Sequence, residues 1–130
     1  MSIGEDIESG SSSSSRVIIW GHSWNQFLDY PFFGDKLQTN NVDIYPHNIL
    51  LEILQSVGFI GFIPFVILLG YTFKICFKIF SKFPNYGWIP LIFIQALTQN
   101  LFSGAIYTAS WFWITMALLI ALNQKLKYEK

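Results

Sequence analysis

Two long stretches without a charged side chain constrain this chain more than any other feature. Residues 53–73 are 21 uncharged positions in a row, and residues 86–124 are 39 more. A helix needs about 20 apolar residues to cross a bilayer core, so the first stretch fits one crossing. As a single helix at about 1.5 Å per residue the second would run to roughly 58 Å, nearly twice the roughly 30 Å core. Two crossings with a tight break at Asn100, Ser103 and Gly104 are expected instead. Only 12% of the 130 residues are charged, against about a quarter in an ordinary soluble domain. That deficit argues against a water-soluble enzyme and against a disordered charged tail.

Charge is distributed unevenly along the chain. Residues 1–52 carry two basic and seven acidic side chains, a net of −5; residues 53–130 carry six lysines and one glutamate, a net of +5. Lysine-rich flanks stay cytoplasmic. Lys74, Lys78 and Lys82 on one side of the second stretch, and Lys125, Lys127 and Lys130 on the other, then require an even number of crossings between them. The expected fold is an all-α integral membrane protein with about three transmembrane helices, plus an external amphipathic helix and loop. Its segments are a flexible N-terminal run (1–15), an external loop with the amphipathic helix (16–47), a first transmembrane helix (48–80), two more (86–124) and a cytoplasmic tail (125–130). Overall charge is balanced, which argues against a nucleic-acid partner. Cys76 is the only cysteine, so neither an internal disulfide nor a cysteine metal cluster is available.

The external segment has its own pattern. Val17, Trp20, Trp24, Phe27 and Leu28 recur at helical spacing with His22, Asn25, Gln26 and Asp29 between them. This predicts an amphipathic helix with two tryptophans suited to a membrane interface. Pro31 and Gly34 stop it, and residues 36–45 form a polar loop. No basic and apolar leader precedes this polar segment. The chain is therefore expected to be the C-terminal part of a larger membrane protein whose upstream helices deliver residues 1–47 to the outer side. Translocation of the N-terminal tail by the first crossing is the alternative.

Four pieces in order carry a resemblance: Arg16-Val17-Ile18-Ile19-Trp20, Tyr30-Pro31-Phe32-Phe33-Gly34, Pro46-His47-Asn48-Ile49-Leu50-Leu51-Glu52 and Gly58-Phe59-Ile60-Gly61. Together they resemble the signature stretch of the O-antigen ligase / O-antigen polymerase family, bacterial inner-membrane glycosyltransferases. Its pattern has an arginine and tryptophan opening a large periplasmic loop, a Pro-x-x-Gly turn, a His-Asn pair with a downstream glutamate, and a Gly-x-x-Gly step in the next helix. The resemblance spans about residues 15–70; the last two crossings match only as hydrophobic segments. Full-length members have many more crossings, and Asp35-Lys36 follows Gly34 where the family often has Gly-x-Gly.

The resemblance implies transfer of a glycan from undecaprenyl diphosphate to an acceptor glycan or a lipid A core sugar, with membrane lipids around the site and no cofactor or metal. Arg16, the only arginine, would bind the diphosphate, since a guanidinium holds phosphate oxygens bidentately; otherwise it is an arginine that snorkels to headgroups. His47 would take the acceptor proton as general base; otherwise it caps or lines the interface. Asn48 and Glu52, four apart on one face, would hold the loop or bind sugar hydroxyls. Ligation and polymerisation both remain open, as does the alternative of a small non-catalytic membrane anchor or assembly protein.

Further features read as structural. His22 lies inside the amphipathic helix. Gly58 and Gly61 would thin one helix face, and Pro64 would kink it. Gln95, Thr98 and Gln99 either line a glycan cleft or bond to neighbouring helices. Trp111 and Trp113 suit the outer interface. Cys76 is a small apolar filler.

Overall fold

The computed structural model describes residues 12–40 and 44–128, and every regular element among them is helical. Helix α1 is Ser12–Asp29, α2 is Ile49–Lys82, α3 is Trp88–Ser103 and α4 is Ser110–Tyr128. Short 3-10 turns at Pro84–Tyr86 and Ile106–Thr108 join the last three. The expectations for residues 1–11, for Asn41 and Asp43 in the polar loop, and for Lys130 in the tail lie outside the described residues. Helix α1 starts at Ser12, so Ser12–Ser15 form its first turn rather than the end of a flexible run.

Helices α2, α3 and α4 pack on one another, and α1 packs on α2. Their shared core is aliphatic at its ends and aromatic in the middle. Phe93 of α3 stacks on Phe112 of α4 with centroids 5.6 Å apart, and Phe73 of α2 meets Phe93 edge-on at 5.8 Å. Phe93 and Phe112 are fully buried. Cys76 sits in the same core as a small filler. The uncharged stretch 86–124 forms two helices because Gly104 ends α3 in extended backbone and the Ile106–Thr108 turn reverses the chain. The reversal is braced locally: the Trp113 indole donates to the Ile106 carbonyl (3.2 Å), and the Thr108 hydroxyl accepts from the Ala105 N–H (3.2 Å).

One helix, α2, is long and apolar enough to cross a membrane, and only 28% of its most apolar window is buried in the fold. Its apolar side chains mostly face outward. Helix α3 has 16 residues, about 24 Å of rise, and α4 carries Lys125 and Lys127 in its last turn.

Two sequence expectations are corrected here. Gly58 does not thin an α2 face; it breaks the helix. Its backbone lies at φ 59°, ψ −162°, a conformation essentially restricted to glycine. That break separates residues 49–57 from residues 59–82, while Pro64 lies within the helical run of the second arm. The second correction concerns α1. Ile19, Ser23, Gln26 and Phe27 face the protein, whereas Val17 (66% exposed), Trp24 (48%) and Leu28 (55%) face outward. The expected stripe thus divides: Val17, Trp24 and Leu28 face outward, as a stripe meant for a membrane interface does, whereas Phe27 is buried and polar Gln26, expected between the apolar positions, lies on the inner face. Polar Ser23 and Gln26 are buried because the 35–40 loop offers them partners, the Thr39 hydroxyl for Ser23 and backbone groups for Gln26.

Candidate functional site

Gly58 ends the first arm of α2 beside the Pro31–Gly34 turn, and the two features depend on each other. In an unbroken helix the Phe59 and Ile60 N–H groups would bond back to Gln55 and Ser56. Instead Phe59 donates to the Pro31 carbonyl (2.9 Å) and Ile60 to the Phe32 carbonyl (3.2 Å). The Gln55 carbonyl, freed in turn, accepts from the Asp35 N–H (2.9 Å). The turn closes on itself through Gly34 N–H to the Tyr30 carbonyl (3.0 Å). Gly34 lies at φ 72°, and a Cβ there would run into the Ser56–Val57 peptide; a Cβ on Gly58 would meet the Phe32 backbone. Two glycines therefore let two backbones touch. Broken helices persist in an apolar environment only when neighbouring protein satisfies the freed groups, and the turn does so here.

Above this joint, Gln26 organises the loop. Its side-chain amide donates toward Asp35 Oδ2 (3.2 Å), the Lys36 carbonyl (3.3 Å) and the Gln38 carbonyl (3.2 Å), and its oxygen accepts from the Asn40 N–H (2.7 Å). Ser23 and Thr39 share a buried hydroxyl bond of 3.0 Å. Gln55 reaches across from α2 to the Leu37 carbonyl (2.5 Å). The loop is held by side chains that a hydropathy pattern reads as solvent-facing.

The expected site residues gather at this end of the bundle in different environments. Trp20 donates its indole N–H to the Pro46 carbonyl at 2.8 Å. Arg16 lies one turn before Trp20 on the same face of α1 and is exposed. That contact brings the α1 face bearing Arg16 to the segment holding His47. His47 is exposed and sits at φ 50°, just before the helix rather than within it. Few non-glycine residues adopt this region, and the strain fixes the direction in which the chain enters α2. Asn48 is the N-cap: its Oδ1 accepts from the Leu50 (3.1 Å) and Leu51 (3.2 Å) N–H groups. Glu52 is fully buried, and its Oε2 accepts from the Ile106 N–H at 2.9 Å. It ties α2 to the α3–α4 connector and is not paired with His47. Tyr45 packs on Tyr107 of that connector at 5.2 Å.

Two acceptors here lack a partner among the described residues: Glu52 Oε1 and Gln55 Oε1, both buried. Such atoms are uncommon in native folds. Farther round, Gln95 and Gln99 line a cleft of about 360 Å³ with Ile92, Ala96 and Trp111. Thr98 bonds back to its own helix at Ile94 (2.9 Å). His22 is half-buried on α1.

Sequence reasoning placed Trp20 on an apolar stripe and overlooked its indole donor; it also overlooked Gln26, Gln55 and the Tyr45–Tyr107 pair. For Trp20 a signal existed, since a tryptophan N–H taken out of water needs an acceptor. For Gln26 none did, because its partners are mostly backbone groups of the loop. Compared with protein-family models, curated proteins and solved structures, the chain matches none.

Proposed function

We propose that the chain forms part of a membrane glycosyltransferase of the O-antigen ligase or polymerase type, acting on an undecaprenyl-diphosphate-linked glycan at the outer face of the bacterial inner membrane. The observation that carries this reading is the convergence of the four motif pieces. The Arg16–Trp20 turn meets Pro46, the Pro31–Gly34 turn interlocks with Gly58, and His47 and Asn48 stand beside the first of these joints, at the start of the α2 arm that leads to the second. Arg16 and His47 are the basic side chains of that set and both are exposed, so they are able to meet an anionic ligand and a proton. Arg16 would bind the diphosphate with its planar fork, and His47 would accept the proton of the attacking hydroxyl. Asn48 and Glu52 position the segment between them rather than meet substrate. The cleft with Gln95, Gln99 and Trp111 offers amides and an indole face, which suit sugar hydroxyls and ring faces.

In this reading α2, α3 and α4 cross the membrane, with the Arg16–His47 end outside. The lysine-bearing ends of α2 and α4 lie side by side, since the Lys78 ammonium reaches Asn123; this supports an inward location for both. The outward apolar faces call for lipid or further helices, and so does the size of a site that must hold both donor and acceptor. Catalysis is therefore expected to need additional membrane segments.

Binding tests this without requiring turnover. The chain in membranes is exposed to a photoactivatable undecaprenyl diphosphate glycan. Saturable cross-linking is expected, lost in Arg16→Ala, largely lost in Arg16→Lys, and retained in His47→Ala. No saturable cross-linking, or equal cross-linking to an undecaprenol without diphosphate, would overturn the reading. That result would leave a small membrane assembly protein, which the exposed Val17–Trp24–Leu28 stripe also suits.

A further inference from the structure

At the end of the bundle opposite His47, helices α2 and α4 border a cavity of about 500 Å³. Four lysines line it: Lys74, Lys78 and Lys82 from α2 and Lys127 from α4. Among the described residues no carboxylate does. The three α2 lysines are spaced four apart and so share one face, although like charges at that spacing repel each other. An inward location alone asks for a number of lysines, not for a register that stacks them around a hollow.

The cavity also has a built polar wall. Asn123 is buried and takes the Lys78 ammonium on its Oδ1 at 2.7 Å. Its own amide reaches the Tyr71 hydroxyl at 3.4 Å, which leaves the Tyr71 proton for another acceptor. Lys78 is thus held in place, and Lys74, Lys82 and Lys127 stand exposed around it. Phe77 stands on the same wall and is largely exposed. The arrangement combines one fixed ammonium group with three exposed ones, a hydroxyl donor and an aromatic side chain facing outward.

The geometry points to a site for a phosphate group, specifically the headgroup phosphate of an anionic phospholipid, with an acyl chain running along Phe77. Basic hollows between membrane helices on the cytoplasmic side bind such headgroups. The inference rests on the membrane reading of α2 and α4 and not on the transferase reading, so either can fail alone.

The test is equilibrium binding by the full chain in a neutral detergent. Fluorescent phosphatidylglycerol should bind saturably, phosphatidylcholine should not displace it, and rising salt should weaken it. Lys82→Gln and Lys127→Gln, both at exposed positions, should each weaken binding about fivefold. Lys78→Gln should weaken it more, because it also releases Asn123. Lys125→Gln, outside the lining, should leave binding unchanged. Equal loss in Lys125→Gln and Lys82→Gln would mean diffuse attraction and overturn the site, as would displacement by phosphatidylcholine. Saturable binding of inorganic phosphate without binding of phosphatidylglycerol would overturn the lipid assignment in favour of a soluble phosphate ligand.

Discussion

Three glycines of α2 differ in what an added methyl group meets. At Gly58 it would adopt a left-handed backbone and strike the Phe32 peptide; at Gly70 there is open space within 4 Å. Gly58→Ala is therefore expected to destabilise the fold by more than about 1–3 kcal/mol, since backbone strain alone reaches that range and the clash adds to it. Gly70→Ala, in a helix interior, should be neutral or stabilising by up to about 1 kcal/mol. Thermal unfolding in one detergent separates the two, and equal melting points would contradict the interlocked joint. Gly61, whose Cβ would press on the Cγ2 and Cβ of the stiff Val57 side chain but which needs no positive φ, should be destabilising when changed to Ala, though less so than Gly58. On the functional side, His47→Ala should lower turnover of an assembled enzyme by roughly 10²–10⁴, with donor cross-linking intact, while His22→Ala should be mild. A dead His22→Ala enzyme beside an active His47→Ala enzyme would reverse the assignment.

Helix α1 is held by its polar face. Gln26 bonds four groups of the 35–40 loop, and replacing it removes the partner of the Asn40 N–H and a donor to the partly buried Lys36 and Gln38 carbonyls. Gln26→Leu should cost on the order of 2–4 kcal/mol, a few unsatisfied groups at about 1–3 kcal/mol each with partial relaxation. It should also accelerate hydrogen exchange at the Asn40 amide. Val17→Ser and Leu28→Ser, on the outward face, should leave that amide protected and reduce only the partition of α1 onto lipid. Rapid exchange in the outward variants, with slow exchange in Gln26→Leu, would mean that α1 docks by the opposite face. At the same scale, Asn48→Ala removes an N-cap worth about 1 kcal/mol, and its effect should be confined to the first turn of α2.

For the whole molecule, the proposed three crossings would put the loop and the α4 end on opposite sides of the membrane. Single cysteines at Gln38 and Gln124, both exposed, in a Cys76→Ser background should be labelled from opposite sides of sealed cells. An impermeant reagent is expected to reach Gln38→Cys directly and Gln124→Cys only after permeabilisation. Labelling of both from one side would reject the three-crossing arrangement. The outward apolar surface of α2 also predicts that the chain stays in the detergent or membrane fraction and precipitates when detergent is withdrawn.

Local patterning determined the helical class, the reversal near Gly104 and the importance of Pro31–Gly34 and Pro46–Glu52. These follow from runs of apolar residues, from missing charges and from residues with restricted backbones, all of which act within a few positions of the chain. Patterning misjudged the inner face of α1, because periodicity reports which side chains avoid water and not which neighbour covers them; polar Ser23 and Gln26 turn inward to reach Thr39 and the loop backbone. The tertiary structure alone decided that Gly58 breaks its helix, since only the carbonyls of Pro31 and Phe32, some 27 residues earlier, can satisfy the freed N–H groups. It likewise decided that Glu52 is buried against Ile106 rather than beside His47, and that lysines far apart in the chain share one cavity. Hydrogen bonds to backbone and the meeting of distant charges are set by three-dimensional proximity, for which the order of residues carries no local mark.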